Sequence, residues 1–392
     1  MDENLTRPTC DSHAGEPPTL SIVIPAYNAA DDLSRCLQRL IRHTSLHFEI
    51  IVADDGSTDR TAEVAEAYGV RYCRTENRGG PALARNLGAH KARGQWILFI
   101  DADVLLHPGA LSRAFRHLGE DGSIVALFGS YDDRPEASGR VSRFRNLLHH
   151  HVHQSGRFER ERRPATTFWT GCGLIRRDIF LKFGGFDHER FERPAIEDIE
   201  LGYRLTGAGH RIVLARDVLC THLKPWSLKT MVRTDFFQRG LPWSLLMLRE
   251  GNKSQDLNVD RRQKLAAVSA GVSVASIGAL PFEPAFAAML FACSALAVVS
   301  INRAFLGLLR RKGGVKLVAA GVPLLYVYYL VCLTSYATAQ VLHRMHRLHH
   351  AGKRQAQESG DTGREIARRQ PAGPHFATRP LQERPAEDAG IR

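Results

Sequence analysis

The chain has 392 residues, on the order of two folding units by length, and is 44% hydrophobic and 24% charged. Its formal charge is +12, and its seven cysteines (Cys10, Cys36, Cys73, Cys172, Cys220, Cys293, Cys332) form no Cys-x-x-Cys pair and no Cys/His cluster at zinc spacing. That excludes a disulfide scaffold and a zinc finger and predicts a reduced, cytosol-facing protein.

Residues 1–19 are polar, with no apolar h-region, so a disordered start without an export signal is expected. Residues 20–25 (LSIVIP) are a short apolar run suited to a buried parallel strand. From Ala29 to His43, apolar side chains at Leu33, Cys36, Leu37, Leu40 and Ile41 recur at helical spacing. Residues 48–53 (FEIIVA) predict a second strand, closing on Asp54-Asp55-Gly56-Ser57. A helix over 58–68, a short strand over 70–73 and a helix over 81–93 follow. Residues 96–100 (WILFI) predict a strand that ends at Asp101. Strands alternating with helices predict an α/β fold with a mostly parallel sheet, whose ligands sit beyond the carboxyl ends of the strands. Those ends carry Pro25-Ala26-Tyr27-Asn28, Asp54-Asp55 and Asp101-Ala102-Asp103, so three polar groups are expected along one edge.

Residues 265–280 and 285–301 are apolar and uncharged, and are separated by Pro281-Phe282-Glu283-Pro284. They predict a helical hairpin across a bilayer, its first arm at the short end of the usual ~17–25 residues. Residues 317–342 form a third stretch of spanning length, with Pro323 inside it. Arg303, Arg310, Arg311, Lys312 and Lys316 lie between these stretches, and another basic run begins at His343. Cations flanking apolar segments fit the cytoplasmic leaflet, and no nucleic-acid motif is present, so the expected partner is a membrane and not a nucleic acid. The expected division is a soluble domain over 20–243, a linker or interfacial segment over 244–264, a transmembrane region of two to three helices over 265–342, and a disordered basic tail over 343–392.

Each acidic strand end has a chemical reading and a plainer one. Asp101 and Asp103, projecting beyond a sheet, can meet a sugar hydroxyl and a hard cation; Mg²⁺ or Mn²⁺ completed by substrate phosphates is the usual arrangement. An ordinary acidic loop is the alternative. Asp54 or Asp55 can accept the imide N–H of a uracil, while Ser57 or Thr58 can cap the next helix. Residues 77–86 (NRGGPALARN) place Pro81 at a helix start that favours phosphate, with Arg78 and Arg85 adding charge. Glu197-Asp198-Ile199-Glu200 opens another helix, where acids complement the dipole and one carboxylate can serve as a general base. His222 is a metal ligand or a structural histidine.

In order, IVIPAYNAADDL, VADDGSTDRT, NRGGPALARNLGA, ILFIDADV, TGCGLIRRDIF, GGFDHERFERPAIEDIELGYRL and THLKPW resemble the family 2 glycosyltransferases of GT-A fold, over about residues 20–222. The pattern is also similar to the members with a hydrophobic C-terminal region, which implies a GT-A catalytic domain followed by transmembrane helices. The resemblance implies that Pro25, Ala26, Tyr27, Asn28, Asp54 and Asp55 hold the nucleoside, with Arg85 near the nucleotide. Asp101 would contact the ribose or sugar. Asp103 would bind Mn²⁺ or Mg²⁺, with His222 as a further ligand. Asp198 would be the catalytic base, with Glu197 beside it. Trp169, Gly171 and Gly173 would fall in the acceptor or sugar region, although Gly173 stands where many members carry Asn.

The implied reaction is an inverting transfer from a nucleotide sugar, UDP-linked by default, to a hydroxyl of a lipid-linked or envelope glycan acceptor. It would occur at the inner, cytoplasmic membrane, on a multi-pass protein with its catalytic domain in the cytoplasm. Processive polysaccharide synthases of the family carry Gln-x-x-Arg-Trp, whereas residues 237–243 read FQRGLPW, so single-sugar transfer is expected over polymerisation. A nucleotidyltransferase, the other enzyme class considered, would be expected to show a glycine-rich basic loop where Pro25-Ala26-Tyr27-Asn28 stands.

Overall fold

The computed structural model describes residues 17–43, 46–250 and 260–369. Most of the expected N-terminal segment, the centre of the expected linker and the last residues of the expected tail lie outside the described residues. The chain divides into two units, Met1–Gln340 and Val341–Arg392.

The first unit opens with β1 (Leu20–Ala26), α1 (Ala30–His43), β2 (Phe48–Asp54), α2 (Thr61–Ala67), β3 (Arg71–Arg74), α3 (Gly80–Lys91) and β4 (Trp96–Ile100). These strands lie parallel in the order β3-β2-β1-β4. β1 is apolar without alternation because both faces are covered. Leu20, Ile22 and Ile24 pack with Leu33, Cys36, Leu37 and Leu40 of α1, while Val23 points the other way, into a cluster with Ala82 and Ala89 of α3. The chain continues through β5 (Val104–Leu106), α4 (Ala110–Glu120), β6 (Ile124–Tyr131), α5 (Arg140–Gln154), β7 (Arg162–Ala165), β8 (Cys172–Arg176), α6 (Arg177–Lys182), α7 (Glu197–Gly207) and β9 (Arg211–His222). β8 runs antiparallel between β4 and β6, β9 is parallel to β6, and β5 and β7 pair antiparallel with β9. The α/β expectation holds, with a parallel first half of the sheet and a mixed second half.

One local expectation changes. The helix expected over 58–68 begins only at Thr61, because the preceding loop is tied down elsewhere. Ser57 donates both its N–H and its hydroxyl to Asp54 Oδ1, and Asp59, in place of Ser57 or Thr58, accepts the Thr61 N–H at 3.0 Å.

Beyond the sheet come α8 (Leu228–Arg233), a wide i→i+5 turn over Thr234–Gly240, and α9 (Leu241–Arg249). α10 (Arg261–Ala279), α11 (Pro284–Ile301) and α12 (Arg303–Arg369) follow. Two helices among the described residues, α11 and α12, are long and apolar enough to cross a membrane. The expected first arm, α10, is not one of them. It carries Arg261, Arg262 and Lys264, and its small residues Ala266, Ala267 and Ala270 pack into a core with Phe144, Leu147 and Leu148 of α5. α12 breaks at Gly314, whose φ of +64° suits only glycine, and the two arms fold together so that Leu309 lies against Gly321. The helix then continues past Arg344, where a loose tail is expected, to Arg369. Residues 344–369 contain no proline and many good helix formers, so nothing stops the helix before Pro371.

Candidate active site

β4 stops at Ile100 and the chain turns out of the sheet through Asp101, Ala102 and Asp103 before β5. Val104 pairs with His222 at the end of β9, and this register places His222 Nε2 3.5 Å from Asp103 Oδ2. His222 Nδ1 lies 2.9 Å from Asn146 Oδ1 of α5. An amide oxygen can only accept, so Nδ1 donates there and Nε2 is left facing Asp103. Tyr131 stacks on the imidazole, with centroids 4.7 Å apart and planes at 10°. Burial, the largest influence on the Asp103 carboxyl, raises it, but His222 and Lys224 together outweigh burial and hold it below the ordinary range. Among the described residues no cluster of three or more His, Cys, Asp or Glu side chains surrounds a common point.

A cavity of about 570 Å³ contains Asp101, Asp103 and His222 together with Glu197 and Asp198 from the start of α7. The two acids differ. Both oxygens of Glu197 are engaged: one with Arg85 at 2.8 Å, the other with the Ala195 N–H at 3.1 Å. Arg85 is buried and also binds Asp101 at 2.6 Å, so it bridges two segments of the site. Asp198 accepts from the N–H and hydroxyl of Thr170, at 3.1 and 3.2 Å, and from the Ile199 N–H at 2.8 Å. Burial first, and then the neighbouring negative charge of Glu197, push its carboxyl up to about 7. A carboxylate poised near neutrality inside a cavity is suited to accept a proton.

The first two strand ends are arranged differently. Asp54 is fully buried and accepts from Ser57 and from the Tyr72 hydroxyl at 2.5 Å. Asp55 accepts from the N–H groups of Gly79 and Gly80, at 2.9 and 2.8 Å, so the start of α3 that was expected to attract phosphate already holds a carboxylate. Asn28 Oδ1 accepts from the Thr58 N–H, tying the first two loops together. Tyr27 is half exposed, with the Arg78 guanidinium 3.9 Å above its ring. Pro25, Ala26, Tyr27, Asn28, Asp54 and Asp55 share the sheet edge with Asp101 but do not line the cavity.

Trp169 does line it, set edge-on to Tyr131 at 4.8 Å. Gly171 and Gly173 do not; they make room for that indole and its neighbour. A Cβ at Gly171 would fall 2.3 Å from the Trp169 ring, and one at Gly173 2.3 Å from the Trp169 carbonyl and 2.6 Å from Phe168. The residues that sequence reasoning passed over are Thr170, Tyr131 and Asn146, together with Gln238, Arg239 and Trp243, which also face the cavity. Thr170 opens the TGCG segment, and Gln238, Arg239 and Trp243 fall where the processive motif is absent; Tyr131 and Asn146 carry no motif.

Residues 21–184 match the family model described as glycosyl transferase family 2. That stretch, 164 of the 392 residues, is similar to the family 2 glycosyl transferases. Among similar proteins, validoxylamine A glucosyltransferase of Streptomyces hygroscopicus subsp. jinggangensis is 35% identical over 240 residues, covering 54% of this chain and 56% of the relative. Glycosyltransferase GlyG of Streptococcus pneumoniae serotype 4 is 32% identical over 125 residues, covering 31% and 41%. The chain thus spans about half the length of the curated relatives it matches. A solved mannosyltransferase of Pyrobaculum calidifontis, in complex with GDP-Man and Mn²⁺, aligns with a TM-score of 0.49 and 16% identity over 82% of this chain and 88% of that one.

Proposed function

We propose that the chain transfers a sugar from a nucleotide-sugar donor, UDP-linked by default, to an acceptor hydroxyl with inversion. The observation that carries this reading is Asp198: a carboxyl pushed up to about 7, held by Thr170 and Ile199, in the same cavity as Asp103 and His222. Asp198 takes the proton of the acceptor hydroxyl, whose oxygen forms a bond to C1 on the face opposite the nucleoside diphosphate. The C1–O bond breaks and its electron pair leaves with the diphosphate, so one displacement inverts the anomeric centre. Glu197, engaged with Arg85, positions that cation against Asp101 and raises the basicity of Asp198; Arg85 and Lys224 draw the donor's negative charge.

Asp103 and His222 lie 3.5 Å apart in the cavity, a carboxylate and an imidazole that would fit Mn²⁺ or Mg²⁺ completed by substrate phosphates. When bound, such an ion neutralises charge on the departing diphosphate. α11 and α12 support association with a membrane, at its cytoplasmic face in this reading.

The test is release of nucleoside diphosphate from a panel of nucleotide sugars with Mn²⁺. Turnover of at least one donor is expected, reduced at least about tenfold in Asp103→Ala. Absence of turnover, or undiminished turnover by that variant, overturns the proposal.

A further inference from the structure

The cavity that holds Asp198 continues past Trp243 and Gly240 into the space between α9, α10 and α12. Its walls there are Ala267 and Val268 of α10 and Tyr329, Leu333 and Tyr336 of α12. Ala267 and Tyr329 are buried, whereas Val268 is 52% and Tyr336 40% exposed, so the far end opens on the surface. That surface is apolar, since Leu265, Val274 and Ile277 of α10 also stand exposed, and α12 itself is long and apolar enough to cross a bilayer. The same lining carries cations. Asp235 is shared by buried Arg145 at 2.8 Å and by Arg239 at 3.7 Å, which leaves excess positive charge, and Lys264 adds to it. One cavity therefore joins a base, a group of cations and an apolar wall.

Resting on the transferase reading above, we infer that the acceptor is an anionic amphiphile. Its hydroxyl sits at Asp198, its negative group beside Arg239 and Lys264, and its hydrocarbon chain leaves between α10 and α12 into lipid. A small water-soluble sugar would use neither the cations nor the apolar exit. Gly240 keeps the passage in register, because a Cβ there would lie 2.5 Å from the Ser335 hydroxyl of α12.

The experiment uses the full chain in lipid nanodiscs and octadecyl phosphate carrying a diazirine in its tail, with photo-adducts mapped by peptide mass spectrometry. Adducts are expected on α10 and α12 around Val268, Leu333 and Tyr336, displaced by unlabelled octadecyl phosphate and not by butyl phosphate. Leu333→Glu should reduce them about tenfold and Leu333→Met should retain them, the second variant separating a blocked passage from a misfolded protein. Adducts confined to the outer face of α11, equal displacement by butyl phosphate, or undiminished labelling of Leu333→Glu would overturn the inference. Labelling requires no donor, so the two ideas fail separately. Adducts without nucleotide-sugar turnover count against the transferase reading, and turnover without adducts counts against the passage.

Discussion

Two groups of acids stand at the same sheet edge and have different fates. At the end of β2, Asp54 and Asp55 are filled from within, by Ser57 and Tyr72 for the first and by the Gly79 and Gly80 amides for the second. Asp198 also accepts from Thr170 and Ile199, but it and Asp103 line the cavity, and Asp198 is shifted toward neutrality by burial and by Glu197. What separates the two groups is whether a carboxylate faces the cavity or the loops around it.

The most severe way to break that contrast is Asp198→Asn, expected to lower the rate by about 10²–10⁴ with little change in donor binding, read by single-turnover kinetics. A loss below tenfold would move Asp198 into the scaffold group. The pH profile sharpens the same point. Asp198 works as the carboxylate, so kcat/KM should fall about tenfold per pH unit below about 7 and level off above it. A profile flat from pH 5 to 8 would mean that another group takes the proton. On the scaffold side, Asp54→Ala leaves the Ser57 N–H and the Tyr72 hydroxyl without an acceptor, a loss of about 1–3 kcal/mol measurable by denaturant unfolding. Unchanged stability would return Asp54 to the ligand-binding group. The smallest effect is expected from Glu197→Gln. Removing its negative charge lowers the Asp198 pKa, so the acid limb should move below 7 by roughly one unit or less. Abolished activity at every pH would make Glu197 the base.

Much of this architecture was legible because period and burial write themselves into the chain. The apolar runs at 20–25, 48–53 and 96–100 are buried strands, and the acids that follow the last two do emerge at one edge. The partnership of Asp103 and His222 was readable only through resemblance. It depends on β5 pairing with β9, a long-range register that no local spacing encodes. Thr170, Tyr131 and Asn146 were silent, since each acts by orienting another side chain and such roles leave no residue pattern. The uncharged run at 265–280 was read as a membrane arm on hydropathy. Hydropathy does not report that one face of α10, built of alanines, is already covered by α5 and α12. The expected tail went astray for a related reason, because charge alone does not end a helix that lacks a proline.

The packing of α10 and α12 on α5 has a consequence for modularity. Phe144, Leu147 and Trp226 share one core with Phe305, Leu309 and Leu325. A chain ended before Arg261 would bare that core and lose a wall of the cavity at once. Grafting this catalytic domain onto a foreign anchor should therefore yield an insoluble and inactive chimera, and the two parts are expected to be inherited as one piece.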